Sequence, residues 1–165
     1  MSNYPIWWDS DITIYNKHMD STTNVITWYR KTLSGCFWKY VRDKARLGNT
    51  TLETESTICR IPENSNYMEK HLWDEFMDAV LLPDNNTYPL DELFPGGSEL
   101  YFTLGRGDII IKGAVTDNID EYTAGQRSTD LIAKYKELQG CIEVDSVAID
   151  TGLGRCLPHY RVQGV

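Results

Sequence analysis

Hydrophobic and polar positions alternate along most of this chain, and the alternation restarts after short turn-rich breaks. Residues 11–15, DITIY, put Ile12 and Ile14 on one side and Thr13 and Tyr15 on the other, which predicts a strand. Residues 16–24, NKHMDSTTN, read as a turn. A second strand is predicted over 25–33, rich in β-branched and aromatic residues; Ser34-Gly35 breaks it, and a third follows over 36–43. A Gly-Asn turn within 46–52 leads to a fourth strand over 53–61, which Pro62 ends.

The period then changes. Met68, Leu72, Trp73, Phe76, Met77 and Val80 form a helical stripe within 67–82, with Asn64, Ser65 or Asn66 available as its cap. Residues 83–97 hold three prolines and a Gly pair and read as a surface excursion. The pattern returns to β at 100–104 and 108–112, with Gly105, Arg106 and Gly107 at the bend. Three successive isoleucines, 109–111, predict a strand covered on both faces or one reaching a subunit contact. Residues 115–123 are acidic and irregular. A second helix is expected from a Ser128 or Thr129 cap to about Gln139, with Asp130 at its positive end and Leu131, Ile132, Tyr135 and Leu138 as its apolar face; Gly140 stops it. Strands at 141–149 and 160–165, with a turn at 150–154 between them, complete the chain.

Seven or eight strands and two helices result. The fold class is mainly β: a small antiparallel β-barrel or sandwich with one or two short helices and a loop-rich insertion. The chain reads as one domain, 1–165, with a β core at 11–61 and 100–165 and a helix/loop insertion at 64–99.

Charge narrows the functions. The net charge is −8 and no basic run of five exists, which argues against a protein that grips phosphates. Five Trp and ten Tyr are a generous supply for strands and for interfaces. Cys36, Cys59, Cys141 and Cys156 form no CxxC, and His18, His71 and His159 have no metal-ligand spacing, so neither metal nor cofactor is expected. The first eleven residues lack a basic start and a long apolar run, and no segment has the ~18–20 apolar residues that cross a bilayer as a helix. A soluble protein made in a cytoplasm, with reduced thiols, is expected.

Candidate chemistry is sparse. Arg106-Gly107-Asp108 spells the tripeptide that integrins read, but glycine and aspartate also suit a turn. Neither Gly105/Gly107 nor Gly152/Gly154 continues as a phosphate-binding GxGxxG. Glu53 and Glu55 share a face, most simply a solvated one. Cys36 with His18 or His159, or Cys156, would be the nucleophile of a cysteine enzyme, though no local signature surrounds them. Adjacent Trp7 and Trp8 face opposite ways on extended backbone, so only one of them can cover the barrel while the other meets a partner. With Arg106, and with Gln126 and Arg127 in the polar segment 123–127, they make the set of candidate partner contacts. Segments 64–99 and 114–128 are candidates for ordering only on assembly.

Four motifs, in order, carry a family resemblance: DITIYN at 11–16, STICRIPEN at 56–64, YFTLGRGDIIIKG at 101–113 and VDSVAIDTGLGRCLPHYRVQG at 144–164. The ordered set resembles the small head-closure, or minor capsid, proteins of tailed bacteriophages and Gram-positive prophages. The 66–97 block and the 117–139 loop and helix enlarge this chain beyond the smallest members. The resemblance implies a β-barrel subunit that forms a ring with its own copies below the portal vertex of the virion. Such a ring bridges portal or adaptor to the tail proteins and helps retain packaged DNA, which passes through its channel. A loop or hairpin projects into that channel as a gate. The resemblance carries over no catalytic residue. The alternative from another class is a small β-barrel module for a carbohydrate or peptide, with Trp28, Trp38 or Trp73 as its platform.

Overall fold

The computed structural model describes residues 4–64, 66–81, 101–136, 138, 140–152 and 157–164. Its six strands are β1 (Ser10–Met19), β2 (Ile26–Leu47), β3 (Thr50–Pro62), β4 (Ile109–Lys112), β5 (Cys141–Asp150) and β6 (His159–Gly164). Its helices are α1 (Lys70–Leu81) and α2 (Ser128–Lys136). The strands close into a barrel in the order β1-β2-β3-β6-β5-β4, with every neighbouring pair antiparallel. The antiparallel barrel with two short helices is therefore the fold. Closure matters because it leaves no unpaired sheet edge in the wall.

Alternation sets the layers. Ile12, Ile14, Cys36, Cys59, Ile61, Ile110, Ile142, Val144, Tyr160 and Val162 point inward, and Phe102 and Leu104 join them to fill the barrel. The opposite face of β1, β4 and β5 is also buried: Tyr15, Ile109, Ile111 and Cys141 pack under Val115 and Leu131. The isoleucine triplet is thus covered on both sides by this chain itself. A third cluster, Met68, Trp73, Phe76 and Met77, fixes α1 against Tyr29 of β2 and Tyr101.

Several boundaries differ from the sequence reading. β1 does not turn at residue 16; it continues to Met19, and the turn begins at Asp20. There the Asp20 carboxylate accepts the N–H groups of Thr22 and Thr23 at 2.8 and 2.6 Å. Ser34-Gly35 does not divide two strands either. β2 runs unbroken through it, pairing with β1 up to Cys36 and with β3 from Phe37 onward. Gly35, at φ 73°, lies where two residues of β2, Ser34 and Gly35, oppose one of β1, Asp11, so it builds a bulge that redirects the strand. Residues 101–104 form no strand; Phe102 makes a single parallel bridge to Tyr67 while its ring enters the core. The described strands number six because two expected strands merge into β2 and residues 101–104 form none.

The helices also start later than the sequence suggests. Asn64 accepts the Asn66 N–H in a local turn instead of capping α1, which begins at Lys70. Ser65 lies outside the described residues, as do 82–100 with their excursion, Gln139 and Cys156. Ser128 is the first residue of α2 rather than its cap; Asp130 reaches back to the Arg127 N–H at 3.1 Å. Leu131 is buried and Ile132 and Tyr135 pack beside it, but Leu138 is 74% exposed. It lies past the end of the helix, where the 3.6-residue period no longer carries it to the barrel.

Close approach constrains the end of β6. A Cβ on Gly164 would sit 2.0 Å from the Glu143 carbonyl oxygen. This is beside the bulge in β5, where Val144 opposes Gly164 and Ser146 opposes Gln163, leaving Asp145 as the extra residue.

Candidate functional site

Three regions concentrate polar chemistry, and the first is a buried seam under α1. Asn16 and His18 continue the inward side of β1 beyond Ile12 and Ile14 and are buried. Asp108, 0% exposed, faces them from the turn before β4. Its carboxylate accepts the Lys17 N–H, the Gly105 N–H and the Asn16 Nδ2–H, each at 2.9 Å. Asn16 also donates to the Thr103 carbonyl at 2.7 Å and accepts the Thr103 N–H at 3.2 Å. Burial pushes the Asp108 carboxyl above its ordinary pKa, although Lys70 and the three donors pull the other way.

Lys70 of α1 joins this carboxylate to the helix. Its Nζ lies 3.8 Å from Asp108 and 3.3 Å from Asp74, over the Trp73 ring, and it donates to the Lys17 carbonyl. His18 donates from Nδ1 to Asp74 at 3.1 Å, and its Nε2 lies 3.0 Å from Asp78, out of line for a hydrogen bond. Trp73 and Tyr29 meet edge to face at 5.5 Å, and the His18 ring stands edge-on to Trp73 at 5.8 Å. The seam therefore docks α1 onto the barrel through charge and aromatic contact together.

The second region is the outer loop 113–127 with α2. It holds a pocket of about 400 Å³ lined by Asp117, Gln126, Arg127, Asp130 and Lys134, among others. Asp117 accepts from Lys134 at 2.7 Å and from the Tyr135 hydroxyl at 2.6 Å, and these bonds, Lys134 first, hold its carboxyl below the usual range. The Asp117 carbonyl accepts the Tyr15 hydroxyl at 2.7 Å. Arg30 donates to the Thr116 carbonyl and to Asn118 Oδ1, and Trp28 donates to Glu121 at 2.8 Å. These bonds tie loop 113–127 to β1 and β2 within a single chain.

The third region is an arm. β2 pairs with β1 only up to Cys36, and β6 pairs with β3 only from Thr57 onward. Residues 41–56 are therefore a two-stranded ribbon with no strand on either flank among the described residues. Arg42 opposes Glu55 and Lys44 opposes Glu53 across it. Arg42 pairs with Glu53 and, at 3.4 Å, with Glu55; Lys44 lies 2.8 Å from Glu53. Glu53 and Glu55 are thus half of a solvated charge ladder.

The sequence-nominated contacts fall in separate places. Trp8 stacks on Tyr4 at 5.0 Å and contacts Phe37 and His159, so it covers the barrel wall. Trp7, 68% exposed, faces away, but it sits in a turn closed by the Trp8 N–H on the Pro5 carbonyl at 2.9 Å, not on extended backbone. Arg106 is exposed, 3.6 Å from Asp145 of the β5 bulge. Gln126 and Arg127 share the outer-loop pocket. Burial of Asp108 removes the integrin reading, which needs that carboxylate on the surface.

Other candidates are also answered by burial. Cys36 is buried, its thiol pushed up to about 12, and Cys59 lies well above the thiol range for the same reason. His18, its suggested base, is held by Asp74 instead. His159 donates from Nδ1 to the Leu157 carbonyl at 2.7 Å. Trp73 is 0% exposed and Trp28 and Trp38 are partly buried, so Trp73 offers no platform to a glycan. Among the described residues no group of His, Cys, Asp and Glu is arranged to hold a metal ion, and no helix is long and apolar enough to cross a membrane.

Asp108, Lys70 and the arm were missed as functional elements. Asp108 had a signal: a lone acid between Gly107 and three buried-strand isoleucines has no solvated face to occupy. No curated protein and no solved structure matches the chain. Residues 7–165, nearly its whole length, match a family of unknown function (DUF6751), and the chain belongs to that family.

Proposed function

We propose that this chain is a structural, non-enzymatic subunit of a tailed-phage neck. It forms a ring with its own copies between portal or adaptor and tail, and helps retain packaged DNA in the virion. The observation that carries the reading is the arm at 41–56. A two-stranded ribbon standing clear of its barrel gains little stability from its own pairing. Among the described residues no strand pairs with either outer edge, so its backbone donors and acceptors there are open to a partner. A ring subunit needs such a projecting element, either to engage its neighbour or to enter the channel. Heterologous contacts of this kind close into rings when the rotation permits.

Charge supports the same reading. A net charge of −8 lets DNA pass the ring without being gripped. The exposed Trp7, beside a Trp8 that anchors the segment, supplies an aromatic contact next to a rigid wall. The four ordered motifs that resemble head-closure proteins add family-level support.

The test is mass spectrometry of purified particles from the source host, with cross-linking. Stoichiometric presence, with cross-links from 41–56 or Trp7 to portal, adaptor or tail proteins, is the expected result. Absence from the particle would overturn the proposal.

A further inference from the structure

On the outer wall of β3, β6 and β5, Arg60 lies directly opposite Arg161, and Arg161 opposite Ala148. Cys59, Ile61, Tyr160 and Val162 take the inward positions, so both arginines face out. Like charges directly opposite on a sheet repel. In a chain of net charge −8, neither guanidinium has an acidic partner within 4.0 Å among the described residues. Three other arginines are matched: Arg42 to Glu53 and Glu55, Arg106 to Asp145, Arg30 to Asn118 and two carbonyls.

The two arginines line a pocket of about 440 Å³ together with His159, Asp150 and Ile149. Arg60 stacks over the Phe37 ring at 5.4 Å, and Phe37 is backed by Trp8. Stacking of this kind fixes a guanidinium plane and leaves its edge for a planar acceptor. The Arg60 Nε is buried and has no hydrogen-bond partner. His159 is oriented by its Nδ1 bond to Leu157 and by the Trp8 edge at 5.5 Å, so its Nε2 is the ring nitrogen left available, 4.0 Å from Asp150.

We propose that this pocket binds a carboxylate presented by an acidic segment of a partner protein, with Arg60 and Arg161 as the paired donors. A carboxylate matches the guanidinium fork bidentately. The Asp150 carboxylate on the rim and the overall negative charge disfavour a polyphosphate backbone, which carries a charge at every step. The site stands on this geometry alone and holds whether or not the chain belongs to a phage neck.

The experiment follows the arginine Nε–H resonances of the full-length protein by NMR. The probes are a blocked Gly-Glu-Glu-Gly peptide, its Gly-Gln-Gln-Gly counterpart, sodium acetate, inorganic phosphate and a short oligothymidylate. Saturable shifts of Arg60 and Arg161 with the glutamate peptide are expected, none with the glutamine peptide, and at least tenfold weaker binding in Arg161→Gln. Arg161 is exposed, so an unchanged melting temperature controls for folding. No saturable shift, equal response to the glutamine peptide, or undiminished binding by Arg161→Gln would overturn the proposal. Acetate binding as tightly as the peptide would overturn the partner segment in favour of a small acid. Tighter binding of phosphate or oligothymidylate would overturn the carboxylate.

Discussion

The seam under α1 and the arm at 41–56 are built from the same pairings, lysine or arginine against carboxylate, yet they do opposite work. In the seam Asp108 is fully buried, held by three N–H donors with the Lys70 ammonium 3.8 Å away, and the buried His18 meets Asp74 beside it. Asp108 has lost its water, so any missing partner is an uncompensated loss. In the arm Arg42, Lys44, Glu53 and Glu55 stand in solvent, where water replaces a lost partner and salt screens the pair. The contrast teaches that the seam holds the fold together, whereas the arm keeps a strand ribbon soluble and in register without stabilising the barrel.

The largest effect is expected at Asp108. Asp108→Asn keeps the shape but turns donors toward N–H groups that need an acceptor. It should cost about 3 kcal/mol in chemical denaturation. A loss below ~1 kcal/mol would place the seam with the arm.

A smaller effect is expected at Asp117, on the outer loop. Its folded carboxyl lies below the ordinary value of 3.8, so its contribution is present above that value and is lost as pH falls through the lowered one. Asp117→Asn should flatten the acid limb of the stability curve below about pH 4, read from melting temperature against pH. Asp108 has the opposite sign. Its folded carboxyl is raised, so the native state holds that proton more tightly and stability falls as pH rises through the window above 3.8. A carboxyl titration by NMR should therefore find Asp108 above and Asp117 below the ordinary value.

The smallest effect is expected in the ladder. Arg42→Ala, Glu53→Ala and their combination should leave the melting temperature at low salt unchanged within error. A coupled loss in the double variant would show that the arm shares in global stability.

Much of this division was legible in the sequence. The isoleucine triplet, the α1 stripe of Trp73, Phe76 and Met77 and the Gly48-Asn49 turn all read as they fold. What failed shares a cause. Asn16 and His18 are polar, so the second half of β1 looked like a turn, although both are buried, Asn16 against Asp108 and His18 against Asp74 of α1. Tyr101, Phe102 and Leu104 alternate like a strand, but tertiary packing uses them as core without a ladder. Gly35 looked like a terminator because pattern alone does not separate a bulge from a break. A buried polar seam depends on partners about 50 to 90 residues away, a range that local periodicity does not reach.

The most direct test removes 42–47 and 50–55 and keeps Gly48-Asn49 as the turn between Val41 and Ser56. Six residues leave each strand, so every remaining side chain keeps its face. The shortened protein should melt where the full chain does and fail to enter particles when it replaces the full chain in the host. A lower melting temperature, or normal incorporation without the arm, would contradict the account.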